Sequence, residues 1–381
     1  MYNKSFEKND MQTSLETTLS SLIAIPSVTE NTVACFEAIQ FVKKELAPLK
    51  LHVTESAPGA ARPWFYATTQ PTLEPNVLLA AHLDVVPAPQ HLFALRHENG
   101  NLYGRGVYDM KLAAACYIEF LKKHADVLLD INIGVLFTCD EEIGGDSMID
   151  ILATGLRPKA VFIPDGGGDW HIEARAKGFF GVELKANGKS AHGSRPWEGD
   201  NALHRIMDVT QTLRREYPHD DPNGTTLSIT AINGGAAVNQ IADTASARID
   251  FRTFDAQELA DFDLRLFDLA SQFEVEVTIP QSGRPVIFNK YHPAVQSFLR
   301  SFEAHRNKPA EYVESYGGSD ARYFALYDIP CIIVEPIGGG RHAEDEWLLA
   351  SDLGEYYHLI ERWLLDEKVE PAQRRHQTVA L

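Results

Sequence analysis

NVLLAAHLD, residues 76–84, is the run that decides the fold. Residues 76–81 form a short apolar block bounded by Pro75 on one side and a polar stretch on the other, the pattern of a strand buried on both faces. Working outward, KLAAACYIEFLKK (111–123) has helical spacing, and INIGVLFTC (131–139) is a second block of buried-strand type. Strand, helix, strand predicts a largely parallel α/β core. Helical periods near 11–25 and 33–47 precede it, and a helix from Pro293, a strand at 332–334 and a helix from Asp352 follow it. The polar tail after Glu367 reads as frayed.

Between Lys177 and Asn289 the pattern changes. Phe180, Val182 and Leu184 alternate as a strand, and NALHRIMDVTQTLRREY after Asp200 is an amphipathic helix. Residues 225–231 and 245–252 read as strands, 257–271 as a helix, and Phe273, Val275, Val277 and Ile279 as an alternating strand. The order β-α-β-β-α-β predicts a ferredoxin-like α+β unit. The expected architecture is therefore a discontinuous catalytic domain (1–176 and 290–381), with a mixed, mostly parallel sheet and helices on both faces, interrupted by a smaller inserted domain (177–289).

The composition narrows the function classes. With 381 residues and 44% apolar content, the chain is long enough for two domains. Its 35 basic and 53 acidic residues give a net charge of -18, which argues against nucleic acid or anionic lipid as a partner. No stretch of about 18 apolar residues exists to span a membrane, and no apolar run follows the N-terminal lysines. Cys35, Cys116, Cys139 and Cys331 have no C-x-x-C spacing and read as reduced core thiols. These features predict a soluble cytoplasmic protein.

The chemistry-bearing residues follow the predicted core strands. His82-Leu83-Asp84 ends the first strand; a metal-ligating histidine donates its second ring N–H to a carboxylate or carbonyl, and Asp84 stands ready to receive it. The same residues also make an ordinary surface polar cluster. Asp109, in the glycine-punctuated LYGRGVYDMK, is either a ligand or a helix cap. Asp140-Glu141-Glu142 is either an exposed acidic turn or a cation site. Asp165 in VFIPDGGG and His342 in EPIGGGRHAEDEW complete the set. Neither glycine run has the helix and lysine of a phosphate cradle, and no G-x-S-x-G elbow marks a serine hydrolase. Two histidines, three carboxylates and a spare glutamate suit two borderline divalent ions better than one closed structural zinc.

In order, HLDVVP, GRGVYDMK, TCDEEIGG, GKSAHGSRP, NQIADTASARIDFR, GGSDARYF and RHAEDE resemble the dinuclear zinc hydrolase family of acetylornithine deacetylase, succinyl-diaminopimelate desuccinylase, aminoacylase and glutamate carboxypeptidase. The likeness runs from about residue 14 to 365. It implies that His82, Asp109 and Asp165 hold one zinc and that Glu142, His342 and the bridging Asp109 hold the other, with cobalt able to substitute. It implies Glu141 as the general base, Asp84 as the partner of His82, and His192 as the oxyanion stabiliser, reaching in from the neighbour in dimeric members.

Asn239 and Arg252, with Gly318 and Ser319 of the GGSD loop, match positions that engage the substrate carboxylate; an arginine fork is suited to that task. If the guanidinium were buried, a substrate lacking the carboxylate would lose about 2 kcal/mol, roughly thirtyfold in kcat/KM. Two departures stand out. Leu112-Ala113 replaces the usual pair of glycines, and Asp165 is the aspartate of the peptidase members rather than the glutamate of the deacylases. The expected activity is cleavage of an amide beside a free carboxylate, leaning to a carboxypeptidase or dipeptidase, with N-acyl amino acid deacylation as the alternative. The substrate is a small peptide or N-acyl amino acid, and the inserted domain is expected to mediate a homodimer. A catalytically silent protein on the same fold is the rival from another class.

Overall fold

The structure is a computed structural model in which residues 2–217, 221 and 223–366 are described. The tail after Glu367 lies outside the described residues. The chain divides into two compact units: one formed by the described residues up to Ala174, Ile287–Glu314 and those from Ser319 on, the other by Arg175–Val286 with Ser315–Gly318.

The first unit is built on a six-stranded sheet. From edge to edge its strands are His52–Glu55, Phe65–Thr68, Ile133–Thr138, Val77–His82, Val161–Phe162 and Cys331–Ile332. Val77–His82 runs parallel to both of its neighbours, and Cys331–Ile332 is parallel to Val161–Phe162. The two strands at the other edge pair antiparallel. Every residue of Val77–His82 and Ile133–Thr138 is buried, so both faces of the sheet centre are covered. That burial is what the unbroken apolar runs encode. Helix Lys111–Lys123 begins two residues after Asp109 and is buried from Lys111 to Leu121, packed between the helices Tyr2–Ala24 and Ala350–Asp366. Buried Leu78 and Leu79 sit where truncation to alanine costs about 2–5 kcal/mol, so the strand ends that carry the site rest on a rigid base.

The second unit is a four-stranded antiparallel sheet in the order Thr226–Gly234, Thr244–Thr253, Gly178–Asn187, Glu276–Gly283. Helices Ala202–Glu216 and Ala256–Gln272 complete the ferredoxin-like sequence of elements. Their apolar stripes meet the inward residues Val182, Leu184, Ile249 and Phe251, and Phe262 stacks on Phe251 at 3.8 Å. The outward residues of the same strands, Glu183, Lys185 and Arg248, are exposed. Asn201 and Asp255 cap the two helices.

One expected boundary moves. Phe273 does not open the last strand; its N–H bonds the Leu269 carbonyl at 2.9 Å and ends the preceding helix. Glu274 then turns the chain with φ 54°, and the strand begins at Glu276. Alternation of apolar residues continues across such a turn, which is why periodicity alone does not find it.

All four cysteines are buried and free. Among the described residues no helix is long and apolar enough to cross a membrane.

Candidate metal centre

Parallel strands Val77–His82 and Ile133–Thr138 end side by side, with His82 opposite Thr138. That register brings His82 and the acidic turn 140–142 to one edge of the sheet. Asp165 follows the neighbouring strand by three residues.

His82 is buried, and its Nδ1 lies 3.0 Å from the backbone carbonyl of Asp84. A carbonyl only accepts, so Nδ1 carries a proton; in the neutral ring that a metal ion would require, Nε2 is the nitrogen left to face it. Asp84 is thus the residue that receives the His82 proton, as the sequence reading expects, but through its carbonyl; its carboxylate is 3.5 Å from Nδ1 and the more distant partner. It is occupied elsewhere: its Oδ2 accepts from Thr29 Oγ1 (2.9 Å) and Glu142 N (3.2 Å), and its Oδ1 from Glu141 N (3.3 Å). Asp84 thus holds the backbone of the acidic turn, whose short helical start leaves N–H groups to be satisfied.

Asp109 is not a cap. Helix Lys111–Lys123 has no side-chain cap at its start. Instead, Asp109 Oδ1 lies 3.0 Å from His82 Nε2 and Oδ2 lies 3.4 Å from His342 Nε2, so the carboxylate stands between the two histidines. His342 Nε2 is also 3.0 Å from Glu142 Oε2. The loop presenting Asp109 is gripped by buried Glu346, which accepts from the backbone N–H groups of Gly106 (2.9 Å), Tyr108 (2.9 Å) and Asp109 (3.0 Å) and from Arg105 Nη1 (2.7 Å).

The acidic turn is not an exposed cluster. Asp140 is fully buried and accepts from the backbone and hydroxyl of Ser147. Glu141 and Glu142 are partly shielded. Burial first, then the charges of Asp165 and Asp320, push the Glu141 carboxyl well above its usual range. Glu142 is pushed up to about 7 by burial, with Asp109 adding to the effect and His82 opposing it. Burial raises Asp165 to about 6 against the pull of Arg341. For Asp109, burial also opposes ionisation, but the hydrogen bonds from His342 and His82 outweigh it and hold the carboxyl well below its usual range.

Carboxylates crowded and desolvated in this way are short of positive charge, and one way to supply it is a bound cation. Two overlapping donor sets lie within 4.8 Å: His82, Glu141 and Asp165, and His82, Asp109 and Glu142. The donors are imidazole nitrogens and carboxylate oxygens, a set that fits zinc or a similar divalent ion. Distance alone does not separate Glu141 from the ligands.

Of the remaining candidates, His192, Asn239, Arg252 and Gly318 belong to the second unit and Ser319 to the first. His192 and Asn239 are exposed neighbours in the second unit, joined by a 2.6 Å bond from Gly193 N to the Asn239 carbonyl. The Ser194 N–H donates to His192 Nδ1 (3.2 Å), which leaves the proton of the neutral ring on Nε2. Arg252, on the same unit, is not the buried guanidinium of the sequence reading. Its side chain is 31% exposed, Nε and Nη2 fork onto both oxygens of Asp250 (2.8 and 3.0 Å), and Nη1 bonds the Tyr316 carbonyl (2.7 Å). Asp250 and Arg252 share one strand face because they are two residues apart. Gly318 is exposed and belongs to the second unit; Ser319 is buried in the first, its Oγ accepting from Ala321 N at 3.4 Å. The sequence reading places Asp320 only in the substrate loop, and it does not reach Glu346, Glu335 or Arg341; Glu346 and Arg341 lie inside the RHAEDE motif, which is the available signal.

Residues 78–366 match the model of peptidase family M20/M25/M40. A succinyl-diaminopimelate desuccinylase of Rhodospirillum centenum is 29% identical over 377 residues, covering 90% of this chain and 95% of that protein. A probable carboxypeptidase of Paracoccidioides lutzii is 30% identical over 232 residues, 55% of this chain and 52% of that protein. Among solved structures, a tripeptidase from Staphylococcus aureus shares the fold with a TM-score of 0.78 at 22% identity, covering 94% of this chain and 98% of that one. A likeness of that extent, with the donor sets already described, leads to one assignment: the chain is a metallohydrolase belonging to peptidase family M20/M25/M40.

Proposed function

We propose that this metallohydrolase uses two divalent ions, zinc in the first instance, to hydrolyse an amide bond next to a free carboxylate, with short peptides as substrates. The observation that carries the reading is Asp109, whose two oxygens face two different histidines. His82, Asp109 and Asp165 would hold one ion, and Asp109, Glu142 and His342 the other. When bound, such a pair supplies Lewis acidity toward the scissile carbonyl and makes water nucleophilic near neutral pH. Glu141 takes the proton from the attacking water and delivers it to the leaving nitrogen. His192 offers its Nε2–H to the developing oxyanion, a role its tautomer suits. The reading extends to a cytoplasmic homodimer assembled through the second unit, whose outer strand Thr226–Gly234 is an open edge of its sheet. Sedimentation at assay concentration is expected to give a dimer; a fully active monomer would reject that assembly.

Arg252, with Asn239 and the Gly318-Ser319 loop, would receive the substrate carboxylate. Because Asp250 already pairs with the guanidinium, a substrate without a carboxylate leaves no bare charge, and the expected discrimination is smaller than for a buried arginine. One charge-assisted hydrogen bond of about 1.5 kcal/mol corresponds to roughly tenfold in kcat/KM. A dipeptide is expected to exceed its C-terminal amide by that factor, and Arg252→Ala should shrink the gap. Equal rates for acid and amide would remove Arg252 from this role.

Deacylation of N-acyl amino acids is the second reading, favoured by the desuccinylase likeness along 95% of that relative. Asp165 favours peptides, since the resemblance associates aspartate there with peptidases. Comparing kcat/KM for a dipeptide with N-acetyl and N-succinyl amino acids decides between them.

A further inference from the structure

Arg341 immediately precedes His342, and its guanidinium joins two carboxylates. Nη1 lies 3.1 Å from Asp165 Oδ1, and Nη2 bonds Glu335 Oε1. Glu335 is 1% exposed, so its carboxylate has almost no water to turn to. The Tyr108 ring centre is 5.5 Å from the guanidinium, and its hydroxyl donates to the Pro336 carbonyl at 3.3 Å. Arg341 is therefore anchored from behind by the buried Glu335 carboxyl group and flanked by a ring, and it meets Asp165 with a nitrogen fixed in a planar fork. Lysine, a point charge on a flexible stem, has no second nitrogen with which to span two carboxylates.

We propose that Arg341 is a positioning residue of the metal centre, holding Asp165 as a one-oxygen donor. This rests on the two-metal reading above. An aspartate free to rotate can bind a cation through one oxygen or both. With Oδ1 already accepting from Arg341, Asp165 presents an ion chiefly with its other oxygen, which disfavours two-oxygen binding and keeps the number of protein donors low at that position. Low coordination is what a catalytic zinc position needs if it is to stay open. Glu335 acts one step further back, fixing the fork.

The test is metal titration of the whole protein by calorimetry, together with the visible spectrum of the cobalt-loaded form, for wild type, Arg341→Met, Arg341→Lys and Glu335→Gln. Wild type should bind two ions. Arg341→Met should lose about 10- to 100-fold in affinity for one ion, the usual cost of removing a partner that orients a ligand, and leave the other unchanged. Its cobalt bands should weaken as Asp165 supplies both oxygens and the coordination number rises. Arg341→Lys should not restore either property. Glu335→Gln, which keeps the guanidinium but loosens its anchor, should show a smaller loss at the same ion, and circular dichroism checks that each variant is folded. A wild type that binds no metal defeats the two-metal reading and this inference with it. Two ions in wild type with an unchanged Arg341→Met variant, equal losses at both ions, or full recovery with lysine overturns the positioning role alone.

Discussion

Removing divalent metal is expected to abolish turnover, and adding zinc or cobalt to restore it. His82, Asp109, Glu142 and Asp165 are buried or nearly so, and together with Glu141 and His342 they occupy the edge of one sheet. Taking an ion out of water costs several kcal/mol even after the protein relaxes. Arg341 compensates part of that charge through Asp165, and no lysine or arginine reaches Asp109 or Glu142 in the hydrogen bonds described. The raised carboxyls of Glu141, Glu142 and Asp165 express the same deficit. Metal should therefore stabilise the fold as well as enable catalysis, since a ligand that binds only the native state adds about 2.7 kcal/mol at one hundred times its Kd. Elemental analysis, an activity assay and a melting curve on the same stripped sample check both parts. Full turnover from a sample shown to contain no metal would sink the two-metal mechanism, and an unchanged melting temperature on adding zinc would count against these carboxylates as ligands.

The second large effect separates two adjacent glutamates. Glu141→Gln should lower kcat by about 10²- to 10⁴-fold, the usual contribution of a positioned acid-base group, while keeping both metals. Glu142→Gln should instead lose affinity for one ion, because Glu142 Oε2 is the atom 3.0 Å from His342. The pair is informative because Glu141 also lies within reach of His82 and Asp165. Metal content measured beside kcat distinguishes them. If the two variants lose metal equally, or if Glu141→Gln turns over normally, the division between base and ligand is wrong.

The backbone N–H groups of both glutamates are tied to Asp84, which raises a related question of why the turn has the shape it does. The H-L-D motif alone suggested that Asp84 orients His82. In the folded chain the Asp84 carbonyl does that, and its carboxylate fixes the turn, so Asp84 links the histidine and the acidic turn through different atoms. A motif names the residue; which of its oxygens is used depends on what the neighbouring strand brings up to it.

The same distinction runs through the molecule. Elements built on local periodicity were readable: the buried run 76–81, the helix 111–123 and the β-α-β-β-α-β order of the inserted region are patterns within a few turns or strand repeats, and burial rewards them wherever they sit. The ordered motifs likewise singled out His82, Asp109, the acidic turn, Asp165 and His342, and three of these stand out further because a polar residue follows an apolar strand. What no window of sequence contains is the partner of a charge. Glu346 reaches back 240 residues to Gly106, Arg341 reaches back 176 to Asp165, and Arg252 turns to Asp250 on its own strand rather than standing bare. Hydrophobic patterning is local because it reports which face of one element is dry; ion pairs and hydrogen bonds are set by which elements meet, so the charges of the metal centre were countable in the sequence and only the tertiary structure decided how they pair.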